Sequence, residues 1–128
     1  MIAMLHAYWA FGGLWPAEDP AGLSRTVVGA ESEKMPGRAL TLGVAALILM
    51  AAALPLLSVT GTPGFAPGWF LDLALLGAAA VFVVRGAVTY TRWGAALQAI
   101  EPFATLNRRY FSPLCLALGA GFIWVLLA

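Results

Sequence analysis

Charged residues are missing from long stretches of this chain and largely crowded into two short ones. Ala39 to Val59 carries no charge. As a helix it would rise about 31 Å, close to the roughly 30 Å hydrocarbon core of a bilayer. Trp69 to Tyr90 is a second apolar stretch, with an uninterrupted interior from Leu73 to Val84. Phe111 to Ala128 is a third, at the short end of what crosses a bilayer. Met1 to Leu14 is a fourth, only about 21 Å long as a helix, so it would thin the membrane locally or reach its far side incompletely. The pattern predicts helices over 1–15, 39–59, 69–91 and 111–128, in one transmembrane domain spanning 1–128. The fold class that follows is all-α, an integral membrane four-helix bundle with a short first helix.

Breakers and anchors refine these limits. Pro55 lacks a backbone donor and predicts a kink near the end of the second helix. Gly61-Thr62-Pro63-Gly64 and Pro67-Gly68 read as a turn. Trp69 and Phe70 suit a membrane–water interface, and Asp72 suits the positive end of a helix. The last helix can begin before Phe111, because Pro113 is tolerated in a first turn. Ala74 with Ala78, and Ala117 with Gly121, are small residues one turn apart that would let helices approach closely. The first apolar stretch lacks the basic start and small-residue cleavage site of a signal peptide, so it reads as a retained helix.

Composition makes lipid the solvent. Of 128 residues, 62% are hydrophobic and 10% charged, with a mean hydropathy of +0.89. Soluble domains carry about 25% charged residues, and a bundle this small could not cover its surface with so few. The net charge of +1 and the lack of a basic tract give no reason to expect a nucleic-acid partner. Cys115 and His6 are the only residues of their kinds. That rules out an internal disulfide and leaves too few soft ligands for a zinc site within one chain. A Ser-His-Asp triad would have to recruit His6 with Asp19 or Asp72, and no local signature supports it. The sequence predicts no catalytic set, no metal site and no cofactor.

The connections 16–38 and 91–110 hold every Lys and Arg except Arg85. With four spans they lie on one side. The positive-inside rule then puts both loops in the cytoplasm and both termini outside, in a multi-pass protein of the inner (cytoplasmic) membrane.

That topology brings polar groups to similar depth. His6 lies about 15 Å from the cytoplasmic end of its helix and Arg85 roughly 8–10 Å from the end of its own. Ser112 and Cys115 begin the last helix on the same side, and Tyr8, Trp9 and Tyr90 border the layer. Each has a plainer explanation. Arg85 can snorkel to headgroups, and His6 can tie two helices together. Tyr8, Trp9 and Trp93 can form an interface belt, and Cys115 can be a small buried hydrophobe.

Leu5-His6-Ala7-Tyr8-Trp9-Ala10-Phe11-Gly12-Gly13 resembles the opening signature, H-x-Y-W-A-x-G-G, of the bacterial membrane proteins known as domain of unknown function 3995. The run from Pro102 to Cys115, with Phe103-Ala104 and then Tyr110-Phe111-Ser112-Pro113-Leu114-Cys115, is similar to that family's second signature. Arg85 stands where the family has an arginine late in its third helix. The resemblance covers nearly the whole chain and implies a four-helix bacterial membrane protein, with no particular activity. Asn107 and Phe111 stand where the family pattern has Asp and Tyr, and Thr89 stands near where it has an acidic residue. Those departures leave Arg85 without the ion-pair partners the family pattern offers.

Three readings follow. In the first, the bundle binds a small apolar or amphiphilic molecule, or a lipid headgroup, in a cytoplasm-facing pocket. Its candidate residues are His6, Tyr8, Trp9, Arg85, Tyr90, Asn107, Ser112 and Cys115. In the second, the chain is an accessory or structural subunit, with a membrane protein partner or further copies of itself. In the third, it is a lipid- or quinone-modifying enzyme using His6 and Cys115, which lacks an evident base to activate the thiol.

Overall fold

The computed structural model describes residues 1–61 and 67–128, so most of the turn expected after Gly61 lies outside the described residues. Every regular element among them is helical. They are α1 (Ile2–Ala10), α2 (Pro20–Leu23), α3 (Arg38–Thr60), α4 (Gly68–Val88), α5 (Arg92–Leu97), α6 (Phe103–Leu106) and α7 (Ser112–Leu127). Wider π-helical turns follow α2 over Ser24–Val28 and join α6 to α7 over Asn107–Phe111.

Among the described residues three helical stretches are long and apolar enough to cross a membrane: Arg38–Thr60, Gly68–Val88 and the continuous run Phe103–Leu127. α1 is much shorter. It ends at Ala10 rather than near residue 15, and Gly12 turns the chain at φ +92°. Its rise is about 14 Å, less than half a hydrocarbon core.

The last helix starts at Phe103, well before Phe111, and Pro113 lies inside it. In a regular α-helix Pro113 would offer no donor to the Arg109 carbonyl, and its ring would press on it. The wider turn just before the proline shifts the bonding, so that the Ser112 N–H reaches the Asn107 carbonyl. Asp72 lies just beyond the first turn of α4, exposed, rather than within it.

α4 and α7 form the tightest pair, side by side and antiparallel. Leu75, Ala79 and Phe122 are buried at their centre, and the rings of Phe82 and Phe122 stack at 5.6 Å. The helices meet closely through glycine. A Cβ on Gly86 would lie 2.8 Å from the Ser112 carbonyl oxygen, and one on Gly119 would lie 2.6 Å from the Val83 side chain. The spacing of Ala117 and Gly121 drew attention to small residues on this helix, but Gly121 faces open space. α3 covers the α4–α7 core through Ala51 and Leu54. Leu40, Leu47, Met50 and Leu56 project outward from it, as a lipid-facing surface would.

α1 packs on α3. Arg38, at the start of α3, lies over the Phe11 ring at 4.3 Å. The first polar connection is pinned to the second. Leu23 is fully buried, and Phe103 fills the space a side chain at Gly29 would take. Gly29 also has φ +75°, so a side chain there is disfavoured twice.

Candidate functional site

The end of α4 carries the polar centre of the molecule. Arg85 occupies its last turn, where the helix dipole favours a cation. Gly86 next to it allows α7 to approach, and this brings the guanidinium to Asn107. Arg85 Nη2 donates to Asn107 Oδ1 at 3.0 Å.

That bond orients the rest. A guanidinium only donates, so the oxygen of the Asn107 amide must face it. The amide nitrogen then points to Thr89 Oγ1, at 2.9 Å, and to Gln98 Oε1, at 2.5 Å. Thr89 donates to Gln98 Oε1 at 2.9 Å. Ser112 Oγ has one hydrogen and two acceptors in reach, Thr89 Oγ1 at 2.7 Å and Asn107 Oδ1 at 3.2 Å. Asn107 and Ser112 have no exposed surface and Thr89 is 5% exposed. The group thus joins α4, the loop after α5 and the π-helical turn before α7. Such networks are well satisfied only when every member finds a partner.

One atom does not. Arg85 Nη1 is buried and has no hydrogen-bond partner among the described residues. Among the described residues no carboxylate forms an ion pair with Arg85.

Gln98 reaches this group because α5 is held in a tight turn. Thr91 Oγ1 accepts from the Gly94 N–H at 3.0 Å, and Gly94 lies directly against the Val88 carbonyl, where a side chain would not fit. Beside the network a recess of about 140 Å³ opens toward the loop, lined by Thr89, Gln98, Glu101, Thr105 and Arg108 among others. Tyr90 borders it indirectly, its hydroxyl donating to the Arg108 carbonyl at 2.9 Å.

The candidate residues therefore fall into two groups. Arg85, Asn107 and Ser112 share one network, with Tyr90 close by. Cys115 follows Ser112 on α7, partly buried. His6, Tyr8 and Trp9 lie on α1, and among the described residues no hydrogen bond links them to the Arg85 group. His6 Nδ1 bonds the Ile2 carbonyl at 3.0 Å, with the Trp9 ring edge-on at 5.1 Å. Trp9 Nε1 donates to the Trp15 carbonyl at 2.7 Å. The half-exposed Tyr8 ring lies against Gly13. Thr89 and Gln98 were not among the candidates. Gln98 is the one polar side chain between Gly94 and Ile100, and that isolation was the available signal.

A family model described as Protein of unknown function (DUF3995) matches residues 1–122. The chain belongs to this family. No curated protein and no solved structure matches it. In this DUF3995 chain the Asn107 amide faces the Arg85 guanidinium directly, so a neutral group meets the cation.

Proposed function

We propose that this is a four-helix integral membrane protein of the bacterial inner membrane that binds an amphiphile by its anionic head. The head sits at Arg85, on the side from which the two polar loops extend, and that side is the cytoplasm. The observation that carries the reading is the Arg85 Nη1, which has no partner among the described residues, on a guanidinium whose only side-chain bond among them is to a neutral amide. An ionisable group within a membrane helix that lacks a partner is a functional candidate by default, and a charged donor buried without an acceptor costs more than the roughly 1–3 kcal/mol of a neutral one. A phosphate or carboxylate oxygen at Nη1 removes that cost and neutralises the charge. Arg85 lies only about 5 Å from the end of α4, a depth that suits a headgroup rather than a chain. Asn107, Thr89, Gln98 and Ser112 hold the guanidinium in place, and Tyr90 borders the approach.

The test is binding of a short-chain phosphatidic acid and of the matching phosphatidylcholine to the protein in neutral detergent. The acid binds preferentially, and Arg85→Gln weakens it at least about tenfold, the worth of one hydrogen bond to a charged group. Equal binding by the wild type and Arg85→Gln removes the proposal.

A further inference from the structure

A second recess, with Arg85 absent from its lining, lies between α1, the turn after α2 and the start of α3. Its volume is about 150 Å³, and His6, Trp9, Val28, Met35, Thr41 and Val44 are among its lining residues. Its wall is mainly apolar. Trp9 uses its N–H on the Trp15 carbonyl, and Thr41 turns its hydroxyl to the Gly37 carbonyl at 3.3 Å. His6 remains. Its Nδ1 faces the Ile2 carbonyl, and a carbonyl oxygen only accepts. Nδ1 must therefore carry the hydrogen. In the neutral ring this makes Nε2 an acceptor, and among the described residues Nε2 has no partner.

We infer that this recess binds a phenol-class molecule, one aromatic ring carrying a hydroxyl that donates to His6 Nε2. The recess, open on one side, has a volume of about 150 Å³, the size of a cavity that takes up benzene. The acceptor at His6 Nε2 favours a ring that bears a donor. The edge of the Trp9 ring adds an aromatic wall, held in place by its bond to Trp15. The site is independent of Arg85, and its failure leaves the headgroup proposal untouched.

His6 is the only histidine, so its two ring nitrogens give unambiguous ¹⁵N signals in uniformly labelled protein. The probes are phenol and anisole, which has the same ring but no hydroxyl hydrogen. In the wild type, phenol moves the Nε2 signal saturably, with half-saturation at about fivefold lower concentration than anisole, the factor one net hydrogen bond supplies. The Nδ1 signal stays near its starting position. Val44→Phe fills the recess and abolishes the phenol shift. The inference is overturned by no saturable shift, by equal responses to phenol and anisole, or by a shift that survives in folded Val44→Phe. If Val44→Phe does not fold, the comparison of phenol with anisole on the wild type decides alone.

Discussion

Arg85, at the end of α4, and Asn107, in the turn before α7, meet at 3.0 Å, and the second terminal nitrogen of the same guanidinium, also buried, has no hydrogen-bond partner among the described residues. A cation is thus anchored on one side and unsatisfied on the other. The proposed headgroup site rests on this asymmetry.

Replacing Asn107 with Asp closes it internally. Asn107→Asp supplies a carboxylate to Arg85, and the Gln98 amide turns over to donate where it had accepted. The protein stays folded, and a buried pair of this kind gains a charge-assisted bond. Binding of an anionic amphiphile falls, because the charge it neutralised is already met. A fluorescence or mass-spectrometric titration beside a thermal melt checks this. Unchanged or stronger binding in a folded Asn107→Asp protein contradicts the proposed site.

The hydroxyl pair under the network makes a smaller contribution. Thr89→Val and Ser112→Ala each remove a buried hydroxyl from a 2.7 Å contact. Each lowers stability by about 0.5–1.5 kcal/mol, nearer the low end if membrane hydrogen bonds behave as usual. The two losses do not add, since either one breaks the same bond. Unfolding of the single and double variants in detergent gives the coupling energy. A value of zero shows that the hydroxyls do not act as a pair.

Close approach of α4 and α7 needs Gly119. A Cβ there would sit 2.6 Å from Val83 and 3.3 Å from the Ala79 carbonyl. Gly119→Leu therefore separates the helices at a cost of about 1–3 kcal/mol or more. Gly121→Leu, on the open side of the same helix, leaves the melting temperature nearly unchanged. Similar melts for the two variants would mean that the helices do not pack this way.

The length of α3 and α4 was legible because membrane spans are set by composition, and Ala39–Val59 has no charge to interrupt it. The start of the last helix was less so. Arg108 and Arg109 make the segment before Phe111 look like loop, yet both point outward while Phe103 and Asn107 point in. Asn107 and Arg85 could be placed at similar depth from sequence. That they meet depends on which way each helix is turned, which depth does not reveal. His6 shows the same limit, since its helix packs on α3 and its ring faces a different recess. Thr89 and Gln98 join through the Thr91–Gly94 turn, a local geometry with no periodic signature.

The proposed orientation has its own check. A reporter fused after Ala128 reads as periplasmic, and one inserted in the loop near Glu33 reads as cytoplasmic. Arg25, Lys34, Arg38, Arg92, Arg108 and Arg109 all fall within the two polar connecting segments, 16–38 and 91–110, which is the basis for the assignment. A cytoplasmic C-terminus overturns it.

The most direct test of the headgroup proposal is native mass spectrometry of the protein drawn gently from its own membrane, as wild type and as Arg85→Gln. The account predicts a retained anionic amphiphile on the wild type that is lost from Arg85→Gln. A wild-type protein that emerges with a protein subunit and no amphiphile would contradict it, and Arg85 would then be a tie between helices.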